Sequence, residues 1–559
     1  MNSSFFSLHV ASSGLFSARA GLQVVSHNIS NASTEGFSRQ FVELRASRPL
    51  ATWNHRGMIG SGSEAFGIGQ IRSFYLDQKF WAERGVLGQH ASTQQLLSVV
   101  ETVFNEARGT GISSGFDIFF ARMQELHTQA NDGVFRNNVL MAAESLARFI
   151  NTTAQSLQRQ QVNANTEVAM ITSSINNIGL QISSLNERIS RFEMNGQRAN
   201  DLRDQRALLI DELSQFVNVE VVEREFNDDF AAGLFPRPED RGRSDLRLSI
   251  RINGYDFINH FDVNLLETVP RSADPDNRRH EMDAPGLYDL RFANGVWFNI
   301  YSPTLQGQLR GTIDVRDGNS GTAPRPLQPG TPAGTQSPFR GDAISFRGIP
   351  FYMEQLNHLV RTFAEAMNNI HRTGFARNAE SQSDMWFFTF MDGTDEVGSG
   401  YPDPADPATT PPTPSATLAG MNALNFRVNS RLRDDPYLLA TSTVAWNEGS
   451  GGESNNMVVQ LFMDLANDQS LFAEGSIHNF INAVSTQLGI DVAQATNFAV
   501  NYNDVTESIN NQRRSVSGVS LNEEILAMIQ FQQQFVAASR LMSAINDVYD
   551  NMINRMGIS

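Results

Sequence analysis

Ten histidines and no cysteine set the first limits on the chemistry open to this chain of 559 residues. Without a thiol there is no disulfide framework, no thiolate metal site and no thiol nucleophile. The histidines are scattered, and none sits in the His-Glu-x-x-His pattern that places two imidazoles on one helix face beside a general base. His358 and His371 fall on one expected helix but 13 residues apart, too far for an adjacent-turn ligand pair, so they read as core or surface histidines. Gly60-Ser61-Gly62-Ser63-Glu64-Ala65 has glycines spaced like a dinucleotide loop, yet no strand, crossover helix and second strand surround it, and a turn is expected. Asp228-Asp229 and Asp434-Asp435 lack the graded oxygen spacing of a calcium loop and read as solvated charge. No catalytic residue, cofactor or metal site is expected.

Composition narrows the remaining classes. Single hydrophobic cores stop growing at roughly 250 to 300 residues, so three or four domains are expected. A hydrophobic fraction of 40% and a charged fraction of 18% suit a soluble globular protein. A formal charge of -17 repels a phosphate backbone, which argues against nucleic acid as a partner. Lys79 is the single lysine, every other basic residue being arginine, and no function is drawn from that bias. No stretch reaches the roughly 18 apolar residues of a membrane helix, so no membrane insertion is expected. Met1 to Gly14 has no basic region ahead of an apolar run, so no cleaved signal peptide is expected and any export must use another route.

The elements that must carry function lie at the two ends. Leu8, Leu15, Leu22 and Ile29 recur every seven residues, with Ala11, Ala18 and Val25 three residues on. Leu521, Met528, Phe535, Met542, Tyr549 and Met556 repeat the pattern, with Phe531, Ala538, Ile545 and Met552 on the companion position; Glu524, beside Ile525, breaks it. Alternating steps of three and four keep one narrow face of a helix against a partner, as a coiled-coil seam requires. Such narrow stripes bury little as an isolated pair, so the ends are expected to be loosely ordered in a monomer and to gain order against neighbouring subunits. The assembly interface is assigned to Leu8, Leu15, Leu22, Val25, Ile29, Leu521, Met528, Phe531, Phe535, Met542, Ile545, Tyr549 and Met552.

Between the ends, residues from Thr93 to about Phe216 carry helical spacing, as in Ile171, Ile175, Ile178, Ile182, Leu185 and Ile189, and predict rod-forming helices. Beyond Val217 the pattern alternates, as in Val219 to Val222, Leu246 to Ile252 and Leu287 to Leu290, which predicts strands. Asn253-Gly254 predicts a hairpin turn because both residues tolerate positive φ. A proline-rich stretch from Asp392 to Leu418 predicts an exposed loop, a short strand follows at Leu424 to Val428, and helices resume near Asn455.

Directly after the first stripe comes Ser26-His27-Asn28-Ile29-Ser30-Asn31-Ala32-Ser33-Thr34-Glu35-Gly36-Phe37-Ser38-Arg39-Gln40. Asn28 and Asn31 can bond the backbone where a helix ends, and Gly36 can take a left-handed turn before an extended segment. The segment, with Asn28, Asn31, Gly36 and Phe37, resembles the N-terminal signature of the flagellar rod, hook and hook-associated protein family; His27 stands where members usually carry asparagine. The block from Ala199 to Leu213, with Asn200, Asp201, Leu202, Asp204, Gln205 and Arg206, is similar to one that marks the hook-associated protein 1 branch. On spacing alone it is a helix, with Leu202, Leu209 and Leu213 in register and charges that pair along the helix or are solvated. Tyr352 to Asn357, Asn368 to Gly374 with His371 and Gly374, and Ser517 to Glu524 agree in order with the same family.

The resemblance implies a structural, non-enzymatic role in the bacterial flagellum, at the junction between hook and filament. It implies a homo-oligomeric ring of about eleven subunits. Hook protein and hook-associated protein 3 would be the neighbours, and an export chaperone would cover the C-terminal helix. Export would use the flagellar type III apparatus, and the destination would be extracellular.

The expected fold is α+β and multi-domain: a coiled-coil-like inner domain of terminal helices, a helical-bundle rod and an inserted β-rich outer domain. Residues 1–48 with 515–559 form the terminal domain, and 49–216 with 346–375 and 440–514 the rod. Residues 217–345 form the β insert, and 376–439 a variable insert with short strands. Two alternatives stand: a hook or rod protein with similar ends, and a scaffold carrying an adhesin-like or glycan-binding module on residues 220–440.

Overall fold

The computed structural model describes residues 6–51, 58–104, 111–194, 197–225, 246–271, 278–322, 337–377, 382–398, 418–445 and 455–554. Met556, Asp228-Asp229 and the prolines from Pro402 to Pro414 lie outside them.

The chain opens with helix α1 (Phe6–Ser30) and an antiparallel ribbon of β1 (Gln40–Ala46) and β4 (Ser63–Gln70), with the short pair β2 (Leu50–Ala51) and β3 (Met58–Ile59) between them. The turn expected at Gly60, Ser61 and Gly62 is instead an extended link: these residues carry the chain from β3 into β4 opposite Ser47 to Pro49, with Ser47 N–H donating to Gly62 O at 2.9 Å, and Ser63-Glu64-Ala65 belongs to β4. The link lies on α1: Ser63 N–H donates to Ser13 Oγ at 3.2 Å, and a Cβ on Gly62, whose φ is +110, would sit 2.0 Å from that oxygen. Only glycine fits there.

Four helices follow: α2 (Phe74–Phe104), α3 (Ile112–Thr128), α4 (Gly133–Glu193) and α5 (Asn200–Phe216). Helix α4 starts where Asp132 accepts from Val134 N–H at 2.8 Å and runs for 61 residues, about 90 Å at 1.5 Å per residue. Its buried face includes all six of Ile171, Ile175, Ile178, Ile182, Leu185 and Ile189. It is the spine on which two cores are built.

The first core gathers the N-terminal half of α4, α3, the end of α2, α7 (Ile349–Thr373), α8 (Met457–Asp464) and the start of α9 (Ile477–Ser517). Phe116 meets Phe363 edge-on at 4.9 Å, and Phe388 lies 4.7 Å from Phe426. Strands β11 (Phe388–Asp392), β12 (Asp395–Val397) and β13 (Phe426–Val428) make a small sheet of order β12-β11-β13. The run from Met385 to Phe388 is fully buried, so this part of residues 376–439 is core rather than loop. Asn368 fixes it, its Oδ1 accepting from both Phe387 N–H and Phe388 N–H at 2.8 Å. Asp434-Asp435 closes a one-turn helix, and Asp435 accepts from Tyr437 N–H at 3.0 Å.

The second core sets the C-terminal half of α4, with α2 and α5, against the sheet β5 (Val219–Glu225), β6 (Leu246–Ile252), β7 (Tyr255–Asn259) and β8 (Asp262–Val263). The pair β9 (Leu266–Pro270) and β10 (Tyr288–Phe292) and helix α6 (Gln308–Asp317) complete it. Asn253 and Gly254 take φ of +48 and +80 at the β6–β7 turn, as their types predict. Packing is continuous across Val217: the Phe257 ring lies over Gly179 of α4, where a Cβ would come within 2.5 Å of it. A buried ionic group adds to this seam, with Arg271 and Arg316 each 2.6 Å from Asp317, and Arg316 donating to Asn165 of α4 at 3.0 Å. The β sheets therefore lie against the spine.

His371, near the end of α7, is fully buried. Its Nε2 accepts from Ala440 N–H at 3.2 Å, which puts the proton on Nδ1, donated to Met385 O at 2.8 Å. Burial pushes this imidazole down to about 4. Unfolded histidine titrates near 6.5, so its contribution is full above that pH and is lost as pH falls toward 4, on the order of 3 kcal/mol. Asp314, fully buried beside Arg310 and pushed up to about 6 by burial, acts with the opposite sign between the unfolded carboxylate range and that value. Comparison at equal pH isolates the histidine. Denaturant titration of wild type and His371→Gln is expected to show wild type losing stability more steeply from pH 6.5 to 4.5; parallel curves would place the proton uptake elsewhere.

Candidate functional site

The terminal helices pair: α1 lies along α10 (Leu521–Asn554). On α1 the buried positions are Ala11, Ser17, Ala18, Gly21, Val24, Val25 and Asn28. The small residues lead this seam, because a Cβ on Gly21 would lie 2.5 Å from the Phe531 ring and one on Gly14 would lie 3.8 Å from Ala538. Of the expected stripe, Ala11, Ala18 and Val25 are buried in the seam, whereas Leu8, Leu15, Leu22 and Ile29 are half-buried along its flank. On α10, Met528, Phe531, Phe535, Met542, Ile545 and Tyr549 are half-buried along one face. Leu521 and Met552 are exposed, at 51% and 57%. Among the described residues of α10, the buried one is Glu524, which interrupts the apolar repeat.

Glu524 is buried because three segments meet on it. Arg39 Nε donates to its Oε1 at 2.6 Å, and Asn28 Nδ2 donates to its Oε2 at 3.0 Å. Asn28 also closes a reciprocal pair with Gln40, its Nδ2 donating to Gln40 O at 2.8 Å and its Oδ1 accepting from Gln40 N–H at 3.0 Å. Asn31 ends α1 by donating to His27 O at 3.0 Å, and Gly36 takes φ of +77 to turn the chain toward β1. Phe37 packs edge-on to His27 at 5.4 Å. The signature thus folds the chain back so that Ser38, Arg39 and Gln40 face both α10 and α5.

Helix α5 supplies the other half. Asp204 accepts from Ser38 N–H and Ser38 Oγ–H, both at 2.8 Å, and from Arg72 at 3.2 Å. Asp201 accepts from Gln40 Nε2 at 2.7 Å and lies 3.2 Å from His27 Nε2. Asn200 Nδ2 donates to Ile68 O at 3.0 Å. Two turns on from Asp204, Asp211 accepts from Trp81 Nε1–H at 2.6 Å and from Arg513 at 2.9 Å. Arg513, near the end of α9, also pairs with Asp77 at 2.9 Å and lies over the Phe80 ring at 4.3 Å. Arg206 reaches Asn186 and Glu223, and Arg203 forks onto Glu193 with two bonds of 2.7 Å. Signature, ribbon, rod and the helix leading into α10 thus share one polar network, a clamp at the base of the terminal pair.

The α5 charges were expected to pair along the helix or face solvent, and the structure corrects this: Asp204, Arg206 and Asp211 are buried and pair with other elements. Burial pushes the Asp204 and Asp211 carboxyls up, with Ser38 and Arg72 pulling back on the first and Arg513 and Trp81 on the second. Burial also pulls Arg72 down, but Asp77 and its companion carboxylates outweigh it and hold the guanidinium charged. Leu202 is half-buried and Gln205 exposed, so neither is central to the clamp. His371 and Gly374 lie elsewhere, in the first core, where a Cβ on Gly374 would meet Ala440 at 2.8 Å. Residue types alone did not single out Arg72, Asp77, Trp81 or Arg513.

Residues 97–387 match the family described as flagellar hook-associated protein FlgK helical domain. The chain belongs to the FlgK family of flagellar hook-associated proteins. Residues 512–556 match the flagellar basal body rod FlgEFG protein C-terminal family, so Arg513 and Glu524 fall in one matched region and α5 in the other. Flagellar hook-associated protein 1 of Bacillus subtilis is 25% identical over 100% of this chain and 99% of its own length. That of Escherichia coli is 24% identical over 97% and 98%. The flagellar hook junction protein FlgK from Burkholderia pseudomallei has the same fold, with a TM-score of 0.53, 13% identity and coverage of 79% of this chain and all of that one. In FlgK terms, the clamp is where the helical domain and the rod-type C-terminal segment meet.

Removing one partner of a buried charged group leaves the others unpaired. Asp204→Ala is expected to destabilise the chain by about 3 kcal/mol and to expose the bond after Arg39 to trypsin. Gln205→Ala, on the exposed side of the same helix, should stay within about 0.5 kcal/mol of wild type. Denaturant titration and timed proteolysis read both.

Proposed function

We propose that the chain is a structural subunit of the hook–filament junction, in which the terminal pair is the assembly element and the clamp fixes its angle to the rod. One observation carries this reading: α10 keeps Leu521, Leu526, Leu541, Val548 and Met552 at least half exposed, although the same helix is anchored by a buried carboxylate. An apolar surface of that extent on a held element marks a site of protein association. Family membership gives the setting, the extracellular flagellum, and neighbours among hook and other flagellar components.

In this reading α1 and α10 line an inner tube, with Leu8, Leu15, Leu22, Val25 and Ile29 completing each pair and the outer face of α10 meeting neighbours. The subunits close into a ring of about eleven, a head-to-tail contact that returns on itself. Hook protein lies on one side and hook-associated protein 3 on the other. The chain travels through the flagellar type III apparatus, and a chaperone covers α10 until assembly. The role is mechanical, joining two tubes of different stiffness, and no catalytic step enters it. The packing of β7 to β10 on the α4 spine, and of β5 on α2 and α5, favours this over a detachable adhesin module on residues 220–440.

Deletion of residues 520–559 is expected to give hooks without filaments, with filament protein lost to the medium. Electron microscopy of cells and assay of the medium read this; normal filaments would contradict it.

A further inference from the structure

Beside the clamp lies a half-open cavity of about 310 Å³ between the base of α2, α5 and the β5–β6 sheet. Its floor is apolar, made by Trp81, Ile210, Val221 and Leu248. Its mouth is basic. Arg72, Arg203 and Arg206 are engaged with clamp carboxylates, whereas Arg198 is exposed and has no ion pair among the described residues. Two acceptors on its wall lack a donor: Gln70 Oε1, and Oδ1 of Asn200, a residue only 5% exposed. A buried acceptor without a partner costs free energy until a donor reaches it.

Apolar floor, orphan acceptors and an unpaired guanidinium together specify a ligand with an apolar tip, an N–H donor and a carboxylate. A polypeptide segment carries all three, from side chain, backbone and an acidic neighbour. We infer that this cavity is a socket for an acidic segment of a second copy of the chain. Charge complementarity favours a second copy, because the chain carries a net -17 and Arg198 at this mouth is a guanidinium without an ion pair among the described residues. Continuity does as well: exposed Phe66, Ile68, Phe74 and Tyr75 extend apolar surface from the β1–β4 ribbon, packed on α1, to the cavity. The inference rests on the assembly reading above and adds a second contact between copies, at the rod.

Placing a photoreactive benzophenone amino acid at position 198 of the full chain, in cells building flagella, tests it. Irradiation is expected to give an adduct of twice the 62.0 kDa chain mass. The same amino acid at position 75 should give the same adduct, reduced several-fold by Arg198→Glu. A control at position 552 separates the failures. If position 552 gives the dimer and position 198 gives nothing or another protein, the socket is wrong and the ring stands. If none of the positions gives a dimer, both readings fall.

Discussion

A carboxylate that is 1% exposed cannot stand alone, and the arrangement of both chain ends follows from what Glu524 needs. Its partners Arg39 and Asn28 come from the other end of the chain, 485 and 496 residues away in sequence. For Asn28 to reach it, α1 must end at Ser30 and turn back through Gly36, and Gln40 must return to the end of that helix. For Arg39 to reach it, α9 must stop at Ser517, whose carbonyl accepts from Arg39 N–H at 2.8 Å. Once the base is set, the small-residue seam of Ala11, Gly14, Ala18 and Gly21 lets α10 lie close.

Charged pairs of this kind add modest net stability, because desolvation offsets most of their attraction. Their value is directional. A guanidinium fork and a carboxylate bond in one plane, so Arg203 on Glu193 and Arg72 on Asp77 and Asp204 fix angles that apolar contacts would leave free. A subunit whose ends must meet other subunits needs a defined angle more than a deep core at that point. Apolar side chains then remain available on α10, held in place and uncovered.

Much of the fold was legible because periodicity is local. The α4 isoleucines, the Asn253-Gly254 turn and the half-buried face from Met528 to Tyr549 all appear where spacing placed them. Burial of charge was not legible. Asp204 and Asp211 look like solvated helix charge until Ser38, Arg72, Trp81 and Arg513 are brought against them, and those partners lie up to 302 residues away. Glu524 looked like a flaw in the stripe for the same reason. Alternation beyond Val217 predicts the strands that form there, but the Phe257 contact at Gly179, which fixes the sheet on the spine, is a long-range packing fact. The run from Met385 to Phe388 lost its signal to the proline-rich segment after it.

The decisive measurement is a reconstruction of the assembled junction by electron cryo-microscopy at side-chain resolution. Glu524 is expected to keep Arg39 and Asn28 of its own subunit, Asp204 to keep Ser38, and Leu541, Val548 and Met552 to be covered by neighbouring subunits. A junction in which these partners are exchanged between subunits, or in which that face of α10 stays in solvent, would contradict this arrangement.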